Sequence, residues 1–257
     1  MPLWVRYAHR GQDGFGVLDG TQVRVYDGDM FEAPLETSHT HELNEIKLLA
    51  PCVPSKMIAL WNNFYALAAK LEVPTPKSPL YLLKANSSFL GPGEIIHRPR
   101  AYAGPVVYEG ELAIVIGKRC KEISEDEAAA HIFGYTCTND VTAAALIKEN
   151  STFDQWVRAK SFDEFGVFGP AISTDAKPVD CTVRTVLNGA ERQNYPLSDM
   201  VIPPHKIVSQ ISHDMTLMPG DVICCGTSLG VGSMKGETNT IEVTIDGIGT
   251  LSNVFEN

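Results

Sequence analysis

Tyr108-Glu-Gly-Glu-Leu-Ala-Ile-Val-Ile-Gly-Lys118 is the stretch around which the rest of the chain organises itself. From 106 to 116 the run is apolar or β-forming apart from Glu109 and Glu111, so it predicts a buried strand that carries two carboxylates. Side chains two apart on a strand share a face, and at ~3.3 Å rise per residue these two start roughly 6 to 7 Å apart. At an effective dielectric of about 20 their repulsion is roughly 2 to 3 kcal/mol, and burial adds a desolvation cost. A solvated edge strand would avoid both costs, but the flanking residues are too apolar for one. The compensation is therefore protonation of one carboxylate, a pair of basic side chains, or a cation. With oxygen ligands alone a cation would be a hard one, Mg²⁺ or Mn²⁺ before Ca²⁺. Gly110 leaves the opposite face bare, which lets another strand or a ligand approach closely.

The chain has 257 residues, enough for one large domain or a core with a small appendage. Its 44% hydrophobic and 20% charged content is that of an ordinary globular protein. A formal net charge of −10 argues against a nucleic-acid partner. No apolar run approaches a membrane span and Met1-Pro2-Leu3-Trp4 opens no leader, so a cytoplasmic location is the expectation. The six cysteines include no Cys-x-x-Cys pair and sit mostly in apolar runs, as reduced core residues do. His39-Thr40-His41 is the one close histidine pair, and its polar surroundings predict a surface loop.

Residues 4–9, 14–19 and 22–26 alternate between glycine-bearing turns and predict a small antiparallel β unit. Residues 32–45 are polar and unpatterned and are expected to act as a linker, giving units at 1–50 and 51–257. Residues 56–60 and 81–84 predict strands. Between them Asn62 or Asn63 is expected to cap a helix with Phe64, Leu67, Ala68 and Leu71 at helical spacing. Ser124 and Glu127 form a capping box that opens a helix, closed by Gly134. Turns at Asn188-Gly189 and Asp246-Gly247 predict two hairpins, and Pro203-Pro204 opens a helix with Ile207, Val208 and Ile211 on one face. Many hairpin-linked strands and about four helices predict an α+β chain that is mostly β and mostly antiparallel.

The order Glu109-Gly-Glu111, Gly134-Tyr135-Thr136-x-x-Asn139-Asp140-Val141-Thr142, Gln155-Trp156-x-Arg158-Ala159-Lys160-Ser161-x-Asp163 and Gly169-Pro170 resembles the fumarylacetoacetate hydrolase family. Asp199-Met200, the Met-Thr-Leu-x-Pro-Gly-Asp run ending at Asp221, Gly226-Thr227 and Gly230-Val231-Gly232 extend the resemblance over roughly 54–253. The branch it resembles is that of the 2-hydroxyhepta-2,4-diene-1,7-dioate isomerases, the 5-oxopent-3-ene-1,2,5-tricarboxylate decarboxylases and the acylpyruvases. The resemblance implies a mixed β-sandwich roll with a small N-terminal β domain, a homodimer, and a Mg²⁺ or Mn²⁺ site. It implies Glu109, Glu111 and Asp140 as metal ligands, Lys160 as the catalytic ammonium beside the metal, and Thr227 and Tyr135 as substrate-binding residues. The implied substrate is a small 2-oxo or 2,4-dioxo acid, bound through its carboxylate and keto oxygens and reacting through a metal-stabilised enolate.

Two positions depart from the family pattern. Hydrolytic members resemble Asn-Tyr-x-x-His-x-x-Glu at the helix after the first core strand, where His and Glu activate water. Leu67 and Lys70 stand in those places here, and Leu67 cannot accept a proton. After Asp140 the family often continues Val-Thr-Ala-Arg-Asp, whereas Ala144 and Ala145 occupy the Arg and Asp places. A decarboxylase or isomerase of the kind found in aromatic catabolism needs no activated water and is the leading expectation. A carbon-carbon hydrolase using Lys70, Tyr65 or His97 is the second, and a metal-binding homologue without catalysis is the third.

Overall fold

The computed structural model describes residues 2–257, so Met1 of the expected N-terminal unit lies outside them. Among the described residues the strands form three sheets, the largest of twelve strands. Its central run is Gly166–Ser173, Ile132–Asp140, Gly110–Ile116, Val222–Cys224, Met57–Trp61 and Leu80–Lys84, in that spatial order. Beyond Lys84 the chain crosses to Phe89–Leu90, which pairs in parallel with Gly166–Ser173. The end of the run is thereby carried back to its start, and the twisted sheet closes into a roll. Met57, Ala59, Leu82, Ala113, Val115 and Val222 belong to one core cluster, the filling of that roll. Because side chains alternate along a strand, Glu111 shares the face of Ala113 and Val115, and Lys84 shares the face of Leu82.

The opposite face is covered by the five-stranded sheet Ala190–Pro196, Thr182–Leu187, Thr238–Ile245, Gly249–Glu256 and Ile95–His97. Leu112, Ile114, Tyr135 and Cys137 from the roll join Val183, Ile241, Val243 and Phe255 from this sheet in the largest core cluster. The two layers make a mostly β sandwich roll. Among the described residues four α-helices decorate it, and the longest, Pro204–Asp214, buries Ile207, Val208 and Ile211. No helix among the described residues is long and apolar enough to cross a membrane.

The segment 106–116 is two strands. Val106–Tyr108 pairs with Thr142–Ala143 and Gly232–Ser233 in a small third sheet, and Gly110–Ile116 pairs in the roll. Glu109 lies at the changeover, where its N–H donates to the Asn139 side-chain oxygen at 3.0 Å instead of to a neighbouring strand. The residues expected to form a linker are mostly a strand, Glu32–Glu42. As the outermost strand of the sheet it shows polar residues on both faces, with Glu36 bound by Arg24 at 2.8 Å and by Tyr26 at 2.9 Å. Leu3–His9 pairs with Gly166–Ser173, so the N-terminal strands continue the large sheet. Neither Asn62 nor Asn63 caps the helix Tyr65–Leu71. Phe64 is its N-cap residue, while the Asn62 amide donates to Pro74 O and that of Asn63 to Ile202 O and Cys225 O. The capping box of Ser124 and Glu127 is present, and its helix is a single turn, Glu125–Ala128.

Candidate functional site

The register of the roll assembles the acidic cluster. Gly110 faces Asn139 and Glu111 faces Thr138 across the antiparallel pair, which sets Asp140 beside the changeover at Glu109. One oxygen each of Glu109, Glu111 and Asp140 lies within 4.8 Å of the others. Glu111 and Asp140 are fully buried, and the Glu109 side chain is 16% exposed.

Two lysines enter this cluster. Lys160, from the helix Trp156–Lys160, donates to Asp140 Oδ2 at 2.6 Å, Glu109 Oε2 at 2.9 Å and Thr142 Oγ1 at 2.7 Å. All three of its ammonium protons have acceptors. Lys84 donates to the other oxygen of Asp140, with both side chains wholly buried. Closure of the roll brings Lys84 there. In the sequence Lys84 marks only the end of a predicted strand, and its phase with Leu82 on a buried strand is the signal that points to the site. Thr142 and Gln193 were likewise not singled out.

Burial works to push the Asp140 carboxyl up, but Lys160 and Lys84 outweigh it and hold the group below its ordinary range. For Lys160, burial favours the neutral amine, and the charges of Asp140, Glu109 and Glu111 reverse that and keep it an ammonium. Glu111 differs from Asp140. Burial raises it well above its ordinary value, the charge of Asp140 raises it further, and Lys160 opposes only in part. Gly226 N–H donates to Glu111 Oε2 at 2.8 Å, while Oε1 is buried with no partner. An oxygen-only donor set with an orphaned buried carboxylate oxygen fits a hard divalent cation. Glu109, Glu111 and Asp140 would hold it, with two ammonium groups alongside.

Thr227 follows Gly226 and is 8% exposed, with its hydroxyl on Gly110 O at 3.1 Å. It lies next to the cluster. Tyr135 does not: it is five residues before Asp140 on the same strand, about 16 Å away and on the other face. It belongs to the core between the two sheets and opens onto a surface pocket with Val179 and His205. The residues leading into the helix Tyr65–Leu71 reach the loop that carries Gly226: Asn63 binds Cys225 O at 2.9 Å, and Phe64 packs edge-on to Tyr195 at 5.0 Å. Leu67 packs partly buried against the core, Tyr65 and Lys70 are exposed, and His97 is paired on the surface with Glu164 at 2.8 Å.

Residues 56–256 match the family described as fumarylacetoacetate (FAA) hydrolase C-terminal, and residues 3–51 match one described as Rv2993c-like, N-terminal. The chain belongs to the fumarylacetoacetate hydrolase family. It is 41% identical to protein Rv2993c of Mycobacterium tuberculosis over 87% of its length and 83% of that protein's. It is 37% identical to the oxaloacetate tautomerase YisK of Bacillus subtilis, over 84% of this chain and 75% of that one. A crystal structure of 2-hydroxyhepta-2,4-diene-1,7-dioate isomerase from Mycobacterium marinum superposes with a TM-score of 0.90 at 37% identity, covering 100% of this chain and 98% of the other.

Proposed function

We propose that this protein is a divalent-cation-dependent enzyme that moves a proton, or releases carbon dioxide, at the carbon next to the keto group of a small 2-oxo dicarboxylic acid. The observation that carries this reading is the buried cluster of three carboxylates and two ammonium groups, with its orphaned oxygen on Glu111; the helix Tyr65–Leu71 offers neither histidine nor glutamate. Bound Mg²⁺ or Mn²⁺ supplies a Lewis acid for the keto oxygen of a chelating 2-oxo acid. Lys160 is the catalytic group: held as an ammonium by its acidic neighbours, it turns the proton it now gives to Thr142 Oγ1 to the substrate oxygen on which negative charge develops. Thr227 offers its hydroxyl to the substrate carboxylate. Lys84 neutralises Asp140 from the side away from Lys160.

The named relatives support the same chemistry. An oxaloacetate tautomerase and a heptadienedioate isomerase both relocate a proton next to an enol or keto group of a dicarboxylic acid, and neither reaction consumes water. Hydrolysis needs a base to activate water, and Leu67 cannot serve. The reading is tested by following enol decay and pyruvate release from oxaloacetate with Mn²⁺ and again after chelation. Metal-dependent acceleration of either step supports it, and rapid acylpyruvate hydrolysis with inert oxaloacetate would replace it with the hydrolase.

A further inference from the structure

We propose that Gln193 is a positioning residue that couples cation affinity to substrate binding by gripping Gly110 and Thr227 at once; the assignment rests on the cation site proposed above. Gly110 stands between the two glutamates and turns its bare face toward the second sheet. A Cβ there would lie 2.0 Å from Thr185 Oγ1, so a side chain at this position would push the second sheet away. Through that gap the second sheet reaches the backbone of the strand that bears Glu111. Gln193 is 1% exposed, and its Oε1 accepts from Gly110 N–H at 2.9 Å. Its Nε2 donates to Thr227 Oγ1 at 2.8 Å and to Leu229 O at 3.3 Å.

The orientation of this amide is set by chemistry. Gly110 N–H only donates and Leu229 C=O only accepts, so the oxygen of Gln193 must face Gly110 and its nitrogen must face the loop after Gly226. Thr227 therefore accepts from Gln193 and turns its own proton elsewhere, here to Gly110 O at 3.1 Å. That carbonyl is bound a second time, by Tyr195 OH at 2.6 Å. When a substrate carboxylate arrives, Thr227 can redirect its proton to it while Tyr195 keeps Gly110 O paired and Gln193 keeps the threonine oxygen in place. One amide thus fixes both the peptide between the two glutamates and the hydroxyl offered to substrate. Partners that orient metal ligands in this way are typically worth about 10- to 100-fold in metal affinity or activity.

The test is calorimetric titration of Mn²⁺ into the metal-free protein, then of oxalate, an unreactive chelating acid, into the Mn²⁺-loaded protein. Gln193→Met should weaken Mn²⁺ about 10-fold or more. It should also weaken oxalate, and adding Thr227→Val to it should cost less oxalate affinity than Thr227→Val costs in the wild type. Gln193→Glu separates the two roles, because it keeps the acceptor for Gly110 and loses the donor to Thr227. Its Mn²⁺ affinity should be no weaker than wild type while oxalate weakens. Mn²⁺ and oxalate affinities within twofold of wild type in Gln193→Met, with only a lower melting temperature, would overturn the assignment. So would unchanged oxalate affinity in Gln193→Glu, should Gln193→Met fail to fold. Absence of Mn²⁺ binding by the wild type would instead overturn the cation site itself, and the assignment with it.

Discussion

Lys84 and Asp140 form an ion pair in which neither side chain keeps any exposed surface. With Lys160 on the other oxygen, Asp140 sits between two ammonium groups. With all three carboxylates ionised, the two ammoniums leave the cluster a net charge of −1, and a dication moves it to +1. A monoanionic chelating group then completes neutrality.

Lys84→Met should destabilise the metal-free protein strongly. Breaking a buried pair by removing one partner costs about 3–5 kcal/mol, and the remaining bond from Lys160 places this change toward the lower end. Because the variant cluster is more negative, Mn²⁺ should bind it more tightly and restore more stability than it adds to the wild type. Thermal melts with and without Mn²⁺ check this. An equal loss in both conditions would mean that Lys84 only fills space.

Lys160→Met should lower kcat by about 10² to 10³, the usual effect of removing one donor to a developing oxyanion. KM should change little, since the ammonium gains most as charge develops. Steady-state kinetics on oxaloacetate separate the two constants, and an unchanged kcat with a raised KM would make the lysine a carboxylate anchor.

The helix Tyr65–Leu71 leads to a gain-of-function prediction. Leu67→His with Lys70→Glu should raise acylpyruvate hydrolysis, since general-base help is worth about 10² to 10⁴. Product release measured for the double variant and the wild type is the check. No gain in a folded, metal-binding double variant would show that this helix does not reach the reacting carbon.

All six cysteines are free and buried, and burial pushes the thiols of Cys52 and Cys137 up to about 12. A thiol reagent at mildly alkaline pH should therefore label none in the native protein and six after denaturation. Rapid native labelling of even one would place that cysteine at the surface.

Glu109 and Glu111 were legible in the sequence because carboxylates in an apolar run have few inexpensive explanations, whereas Asp140 entered only through the family resemblance; the three do meet. The division of that run was not legible, since it depends on the Asn139 side chain standing in for a strand partner. Lys84 was missed because its inward phase acquires meaning only when Phe89–Leu90 closes the roll. Tyr135 sits in a motif that ends at the site, yet an odd offset on a strand turns it to the other face. Glu32–Glu42 was hidden for a simpler reason: a strand with solvent on both faces carries no alternation.

Oxaloacetate with Mn²⁺ tests the central claim most directly. Enol decay and pyruvate release are recorded in one sample, with wild type, Lys160→Met and a chelated control side by side. Acceleration of at least one step by the wild type, lost on chelation and strongly reduced in Lys160→Met, is the predicted result. Equal rates in all three samples, with Mn²⁺ shown to be bound in the two without chelator, would contradict it.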